Sequence, residues 1–419
     1  MKSTVLPNGL TIVSGAMAGR SSVCLGVWVG VGSRNEPKKM NGASHFIEHM
    51  LFKGTLARSA KQISEAIEGI GGSINAFTEE ERTCFYSRGR ASHLPLMVEV
   101  LSDMVMRSTF DPEELKKERS VIREEIIQYQ DQPSSVVLDV LNETMWPDQP
   151  LGRPILGTAK SLRSLKSLQL KEFLSLHYRS ENIVISATGN VDHQDLVSLV
   201  EKFWKQVPTG SAPIADPADD MVGKTPISHL TKPSEQAYLA LGVRTCSRHD
   251  IQRAELRLLN VLLAENMSSR LFQLLREDLG LAYHVDSSNS FFQDTGVLTI
   301  SAGVDDSKLA KASRLCVKEL SGLTEKLVSQ KELGNACDYL IGQSELHLES
   351  VENYMMWIGE QWLGYRQLFR EKDVYERLQK VTSSNLRRTA KRFFRPSNYH
   401  LTTVSSQKTS SISTKILNS

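Results

Sequence analysis

The chain repeats itself. A stretch near the middle reads Leu165-Lys166-Ser167-Leu168-Gln169-Leu170, followed by His177-Tyr178-Arg179-Ser180-Glu181-Asn182-Ile183-Val184-Ile185-Ser186. Its counterpart lies 216 residues further on, in Val381-Thr382-Ser383-Ser384-Asn385-Leu386 and Phe393-Phe394-Arg395-Pro396-Ser397-Asn398-Tyr399-His400-Leu401-Thr402. Each copy reads as a capped helix of about three turns, an aromatic-Arg-x-x-Asn turn and an alternating strand. Equal spacing of the same signals predicts two tandem homologous repeats of one fold.

Residues 208–223 are rich in Pro, Asp and small side chains, the composition of a linker. The expected organisation is therefore a first repeat over 1–207, a second over 224–405, and a polar tail over 406–419 that frays. Strands are expected at Leu10–Val13, Val23–Val31, Ala237–Val243 and Gly296–Ala302, separated by longer helical stretches. The fold class is α+β, with each repeat a sheet covered by helices.

Composition removes several function classes. With 40% hydrophobic residues and 419 positions, the chain has enough apolar material for sizeable cores. Lys+Arg 50 against Asp+Glu 48 leaves a formal charge of +2, so no clustered basic face for nucleic acid is expected. The longest apolar stretch, Val23 to Gly32, is half the length a membrane-crossing helix requires. The start, Met1 to Leu10, enters a Pro7-Asn8-Gly9 turn without an apolar leader, and the expected location is cytoplasmic. Five scattered cysteines form neither a disulfide framework nor a thiolate cage, and read as buried hydrophobes in a reducing compartment.

One segment carries chemistry: Ser44-His45-Phe46-Ile47-Glu48-His49-Met50-Leu51-Phe52. On a helix, His45 and His49 stand one turn apart on the same face, where two imidazoles converge on one metal ion. Glu48 falls beside them, placed to reach an activated water without ligating. With 10 histidines and 48 acidic residues in the chain, this spacing is rare by chance. The competing reading, a core helix with packed histidines, buries three costly polar groups on one face.

A third ligand should come from a second helix. The segment beginning Asp111-Pro112-Glu113-Glu114 has an N-cap, a Pro at the first helical position and acids in its first turn. Glu118 and Glu125, seven apart, point the same way; Glu124 points elsewhere. Val121 and Ile122 between them suggest that this face turns inward. Taken alone, the segment also reads as a solvated charged helix.

Together, His45-Phe46-Ile47-Glu48-His49, the following Met50-Leu51-Phe52-Lys53-Gly54-Thr55 and the Glu118-to-Glu125 helix resemble the insulinase/pitrilysin family of inverzincin metallopeptidases. The likeness is nearest to the short-chain branch, which includes the mitochondrial processing peptidases and bacterial homodimeric peptidases. It implies one Zn²⁺ per chain, held by His45, His49 and the Glu 76 residues beyond the second His, which is Glu125. It also implies that Glu48 is the catalytic base and Glu118 a supporting non-ligand.

The resemblance covers nearly the whole chain. Asn75-Ala76-Phe77-Thr78 matches the family's edge strand, implying that Asn75, Ala76 and Phe77 bind peptide by strand addition. Ser269-Arg270-Leu271-Phe272, with Arg276 and Tyr283 after it, matches a helix whose Arg/Tyr pair binds substrate and polarises the scissile carbonyl. A two-repeat chain would be half of a clamshell, so two copies should form a homodimer around a chamber that admits unstructured peptides. The function implied is a zinc endopeptidase. The alternatives are a presequence-processing subunit and a non-catalytic structural subunit of the same family.

Overall fold

The computed structural model describes residues 1–219, 226–407 and 413–418. The helices are α1 (Ala43–Leu51), α2 (Ala60–Glu68), α3 (Leu94–Arg107), α4 (Pro112–Gln130), α5 (Pro133–Met145), α6 (Ala159–Ser164) and α7 (Ser167–His177). They continue with α8 (His193–Phe203), α9 (Arg253–Asn260), α10 (Leu309–Glu325), α11 (Gln330–Leu348), α12 (Val351–Tyr365), α13 (Glu371–Gln379) and α14 (Ser383–Phe393).

The first compact unit comprises Met1–Ile126, Pro154–Asp216 and Glu345–Phe369. Its strands are β1 (Lys2–Val5), β2 (Thr11–Ala16), β3 (Ser22–Val29), β4 (Ser73–Thr78), β5 (Thr83–Arg90) and β6 (Ile183–Gly189), in spatial order β1-β2-β6-β3-β5-β4. Only the β2/β6 pair is parallel. Alternation along β3 sends Leu25, Val27 and Val29 to one face, against Phe46 of α1, Leu101 of α3 and Ile122 of α4. Cys24 and Trp28 go to the other, against Met355 and Ile358 of α12.

The second unit comprises Ile127–Arg153, Pro217–Ser344 and Arg370–Ser419. Its strands are β7 (Ile227–Thr231), β8 (Ala237–Thr245), β9 (Ala282–Phe291), β10 (Gly296–Val304) and β11 (Tyr399–Ser405), in order β7-β11-β8-β10-β9. This is the first sheet's order without β1, again with one parallel pair, β7/β11. One face packs on α9, α10 and α14 through Leu239, Leu241 and Leu401. The other, through Ala240, Val297 and Val404, packs on Val137, Leu141 and Met145 of α5.

The duplicated turn is reproduced bond for bond. Asn182 Nδ2 donates to the His177 carbonyl at 2.9 Å, and Asn398 Nδ2 donates to the Phe393 carbonyl at 2.9 Å. In both copies this amide closes the helix end and launches an interior strand of the sheet, β6 or β11, which explains why Asn recurs in the motif.

The compact units depart from the contiguous halves 1–207 and 224–405. Helix α5, early in the chain, packs in the second unit, and α12, late in the chain, packs in the first. Each sheet has two apolar faces, and its own repeat covers only one. The second face recruits a helix from the other repeat, and an amphipathic sequence does not say which sheet it will meet. The expected linker is also tied down where described: the carbonyls of Pro208 and Gly210 accept from Ser180 and Glu181 N–H, and that of Asp216 from Arg34. Its residues 220–223 lie outside the described ones. Of the tail expected to fray, residues 408–412 and 419 lie outside the described ones, and the described end departs from the expectation, because Ile416 and Leu417 are buried in the second core. Apolar side chains at its end gain more from burial than the short segment loses in freedom.

All five cysteines are free and buried. Among the described residues no helix is long and apolar enough to cross a membrane.

Candidate metal centre

Helix α1 buries Phe46, Ile47, Met50 and Leu51 in the first core. That orientation leaves the opposite stripe for His45, Glu48 and His49 and sets the two imidazole centroids 4.7 Å apart. Helix α4 begins on Asp111, whose Oδ1 accepts from Glu113 and Glu114 N–H at 2.9 and 3.1 Å. Its inward face runs Leu115, Glu118, Ile122, Glu125 and Ile126, while Glu124 is exposed. Val121 does not share that face as expected: it is 49% exposed, because one residue from Ile122 is a rotation of about 100°.

The two helices bring the expected ligands together. Glu125 Oε2 lies 3.7 Å from Nε2 of His45 and 3.7 Å from Nε2 of His49. One ligand atom from each of the three residues falls within 4.8 Å of the others. These separations are too long for hydrogen bonds. They are close to the spacing of about 3.3 Å set by two zinc–ligand bonds of about 2 Å at the tetrahedral angle. Burial, then the neighbouring His49, pushes His45 down to about 3, which keeps it in the neutral form that ligates. Two histidine side chains and one glutamate are a donor set that zinc accepts.

Glu118 sits behind these three side chains. Its carboxylate is buried, with Oε2 3.0 Å from His49 Nδ1 and Oε1 2.9 Å from Lys53 Nζ. With Nδ1 donating to Glu118, the lone pair of His49 is on Nε2, facing Glu125. Glu48 is half-buried and accepts from the Thr78 hydroxyl. Burial raises its carboxyl from the ordinary value, and the Thr78 bond opposes that rise. Thr78 ends β4, an edge strand of the sheet, in which Asn75, Ala76 and Phe77 pair with Tyr86, Phe85 and Cys84 on one side.

The Arg/Tyr pair also meets. Arg276 lies in a π-helical segment, Phe272–Asp278, with its guanidinium 5.2 Å from the Tyr283 ring centroid and 4.8 Å from that of Phe272. Tyr283, near the start of β9, is 77% exposed.

Residues 11–159 match the family described as Insulinase (Peptidase family M16), and residues 164–340 match the Peptidase M16 inactive domain. A Streptomyces coelicolor protein named as an uncharacterized zinc protease is 36% identical over 397 residues, covering 93% of this chain and 86% of that one.

The chain belongs to the insulinase family, M16.

A Bacillus subtilis member with the same kind of name is 37% identical over 390 residues, 93% of each chain. A solved protease from Helicobacter pylori has the same fold, with a TM-score of 0.89 at 22% identity, covering 96% of this chain and 99% of that one. For this M16 chain the HxxEH helix is in the half that matches the peptidase model, and Arg276 and Tyr283 are in the half that matches the inactive-domain model. Two neighbours of the centre were not singled out as site residues from sequence, Lys53 and Thr78. Lys53 had a signal, standing four residues after His49; Thr78 closed the quoted edge-strand motif.

Proposed function

We propose that this chain is a zinc-dependent endopeptidase acting on unstructured peptides, with one Zn²⁺ held by His45, His49 and Glu125. The observation that carries the reading is the convergence of both Nε2 atoms on one Glu125 oxygen, with Glu48 on the same helix face. Zinc held there supplies the Lewis acidity that activates water and polarises a peptide carbonyl. Glu48 takes a proton on its carboxylate and returns it to the leaving amine, and its raised affinity for protons suits both steps. Thr78 holds that carboxylate in place. The open edge of β4 accepts an extended substrate through main-chain bonds, with Asn75, Ala76 and Phe77 as the docking residues. Tyr283 donates to the developing oxyanion and Arg276 supports it. Two copies form a homodimer enclosing a chamber, so that Tyr283 of one copy serves the His45, His49 and Glu125 site of the other; the setting is the cytoplasm, where five free thiols persist.

The experiment is metal analysis combined with three variants. Wild type purified without added metal is expected to carry about one zinc per chain. Glu48→Gln should retain that zinc and lose turnover, Glu125→Gln should lose zinc, and Glu124→Gln should change neither. Full peptidase activity in metal-free protein, or metal retention that depends on Glu124 instead of Glu125, overturns the assignment.

A further inference from the structure

Helix α1 starts without a cap of its own. Its N-cap is Gly42, with φ 91° and no side chain to accept from the first-turn amides. A side chain is excluded there twice over. The positive φ disfavours any L residue, and a Cβ would stand 2.9 Å from the Leu156 carbonyl oxygen. A helix that carries two ligands and the base thus begins where the usual Ser, Thr or Asp cannot be placed.

The missing acceptor comes from six residues upstream. Glu36 is 3% exposed, and its Oε1 accepts from Ser44 N–H at 2.7 Å, the bond an N-cap oxygen ordinarily makes to the second helical residue. Its Oε2 accepts from Gly42 N–H at 2.7 Å and from Asn41 Nδ2 at 3.3 Å. Asn41 Nδ2 also donates to the Pro154 carbonyl at 3.0 Å, so the cap is joined to the loop preceding α6. Burying a carboxylate is costly, and burial raises this carboxyl to about 7 against the opposing pull of the backbone donors. A neutral amide cannot replace it without cost. Gln has one acceptor oxygen for two opposed amides, and its NH₂ would meet an N–H head on.

We propose that Glu36 is a positioning residue for the metal centre: its two-oxygen grip on Gly42 and Ser44 sets the start of α1, and through it the placement of His45, the next residue. This rests on the zinc reading for its consequence, though not for its structural content. Glu36 touches neither the ligands nor the reacting atoms, so its effect passes entirely through the helix.

The test compares wild type with Glu36→Gln and Glu36→Asp by three measurements: amide hydrogen exchange on zinc-free protein, zinc affinity by chelator competition, and kcat and KM. Glu36→Gln should lower protection in the first turn of α1 at least tenfold while β3 and β6 exchange as in wild type. Zinc affinity should fall on the order of tenfold to a hundredfold, as for other residues that orient ligands. Turnover should fall through kcat with KM little changed. Glu36→Asp, one methylene shorter but still charged, should show the same pattern and decides the matter should the Gln variant fail to fold. Exchange and zinc affinity within about twofold of wild type, even with a lowered melting temperature, overturn the proposal, because a merely structural residue would give that result. A wild-type chain that binds no zinc sinks the functional reading instead, and the exchange measurement still decides Glu36.

Discussion

His49 Nδ1 lies 3.0 Å from Oε2 of Glu118, a buried carboxylate whose other oxygen is 2.9 Å from Lys53 Nζ. The imidazole is thus oriented by an acid that is itself charge-balanced. Glu118→Gln should weaken zinc by about tenfold, since the ring keeps a partner but loses the charge. Lys53→Met should cost about 1–2 kcal/mol of stability, the lysine being partly exposed and the carboxylate it leaves behind being buried. Chelator competition and urea unfolding measure the two effects; an unchanged zinc affinity in Glu118→Gln would show that the contact does not tune the ligand.

The proposed shared chamber makes a mixing experiment decisive. Glu48→Gln chains lack the base and Tyr283→Phe chains lack the hydroxyl, a loss on the order of a hundredfold in turnover. If Tyr283 serves the partner copy, random exchange of the two variants gives half the dimers one sound site, about a quarter of wild-type activity. Action within one chain leaves every site damaged, and no activity returns.

Gly359 of α12 packs directly on Trp28 of β3: a Cβ at 359 would stand 2.1 Å from Trp28 Nε1, which donates to Ser186 Oγ at 2.9 Å. Gly359→Ala should therefore destabilise the protein by about 1–3 kcal/mol through overpacking. The indole should be displaced from Ser186, shifting its fluorescence on the way. Wild-type stability and emission would contradict the packing of a late helix on the first sheet.

His400 is fully buried in β11, and neither ring nitrogen has a hydrogen-bond partner among the described residues. Burial, and then the charge of Arg244, pushes it from 6.5 down to about 4. Above pH 6.5 it is neutral in folded and unfolded chains alike. Between 6.5 and about 4 only the unfolded chain takes the proton, so stability falls on acidification by about 1.4 kcal/mol per pH unit. The raised carboxyls of Glu36 and Asp139 act in the opposite sense, so the measurement is a difference. His400→Leu should show a shallower loss of stability than wild type from pH 6.5 to 4.5. Parallel curves would mean that His400 titrates normally in the fold.

Much of the centre was legible because its chemistry is local. His45, Glu48 and His49 owe their common face to helical periodicity, and Glu118 and Glu125 share a face because seven residues make nearly two turns. The edge strand was legible through its motif, since Asn75-Ala76-Phe77-Thr78 falls within β4, Ser73–Thr78, at one edge of the sheet. What periodicity could not tell was finer than a turn: it took Val121 for an inward residue when only Ile122 is.

The sequence by itself determined the two-repeat α+β plan and the spacing of the candidate ligands, since capping, alternation and helical period are set by neighbours in the chain. The repeated Asn182 and Asn398 turns belong to that class. Only the tertiary structure decided the exchange of α5 and α12 between the units, the return of Ile416 and Leu417 to a core, and the capping of α1 by Glu36. In each case the deciding energy is between segments far apart in sequence or across an irregular loop, where an apolar face or an unpaired amide takes whichever partner the fold brings near.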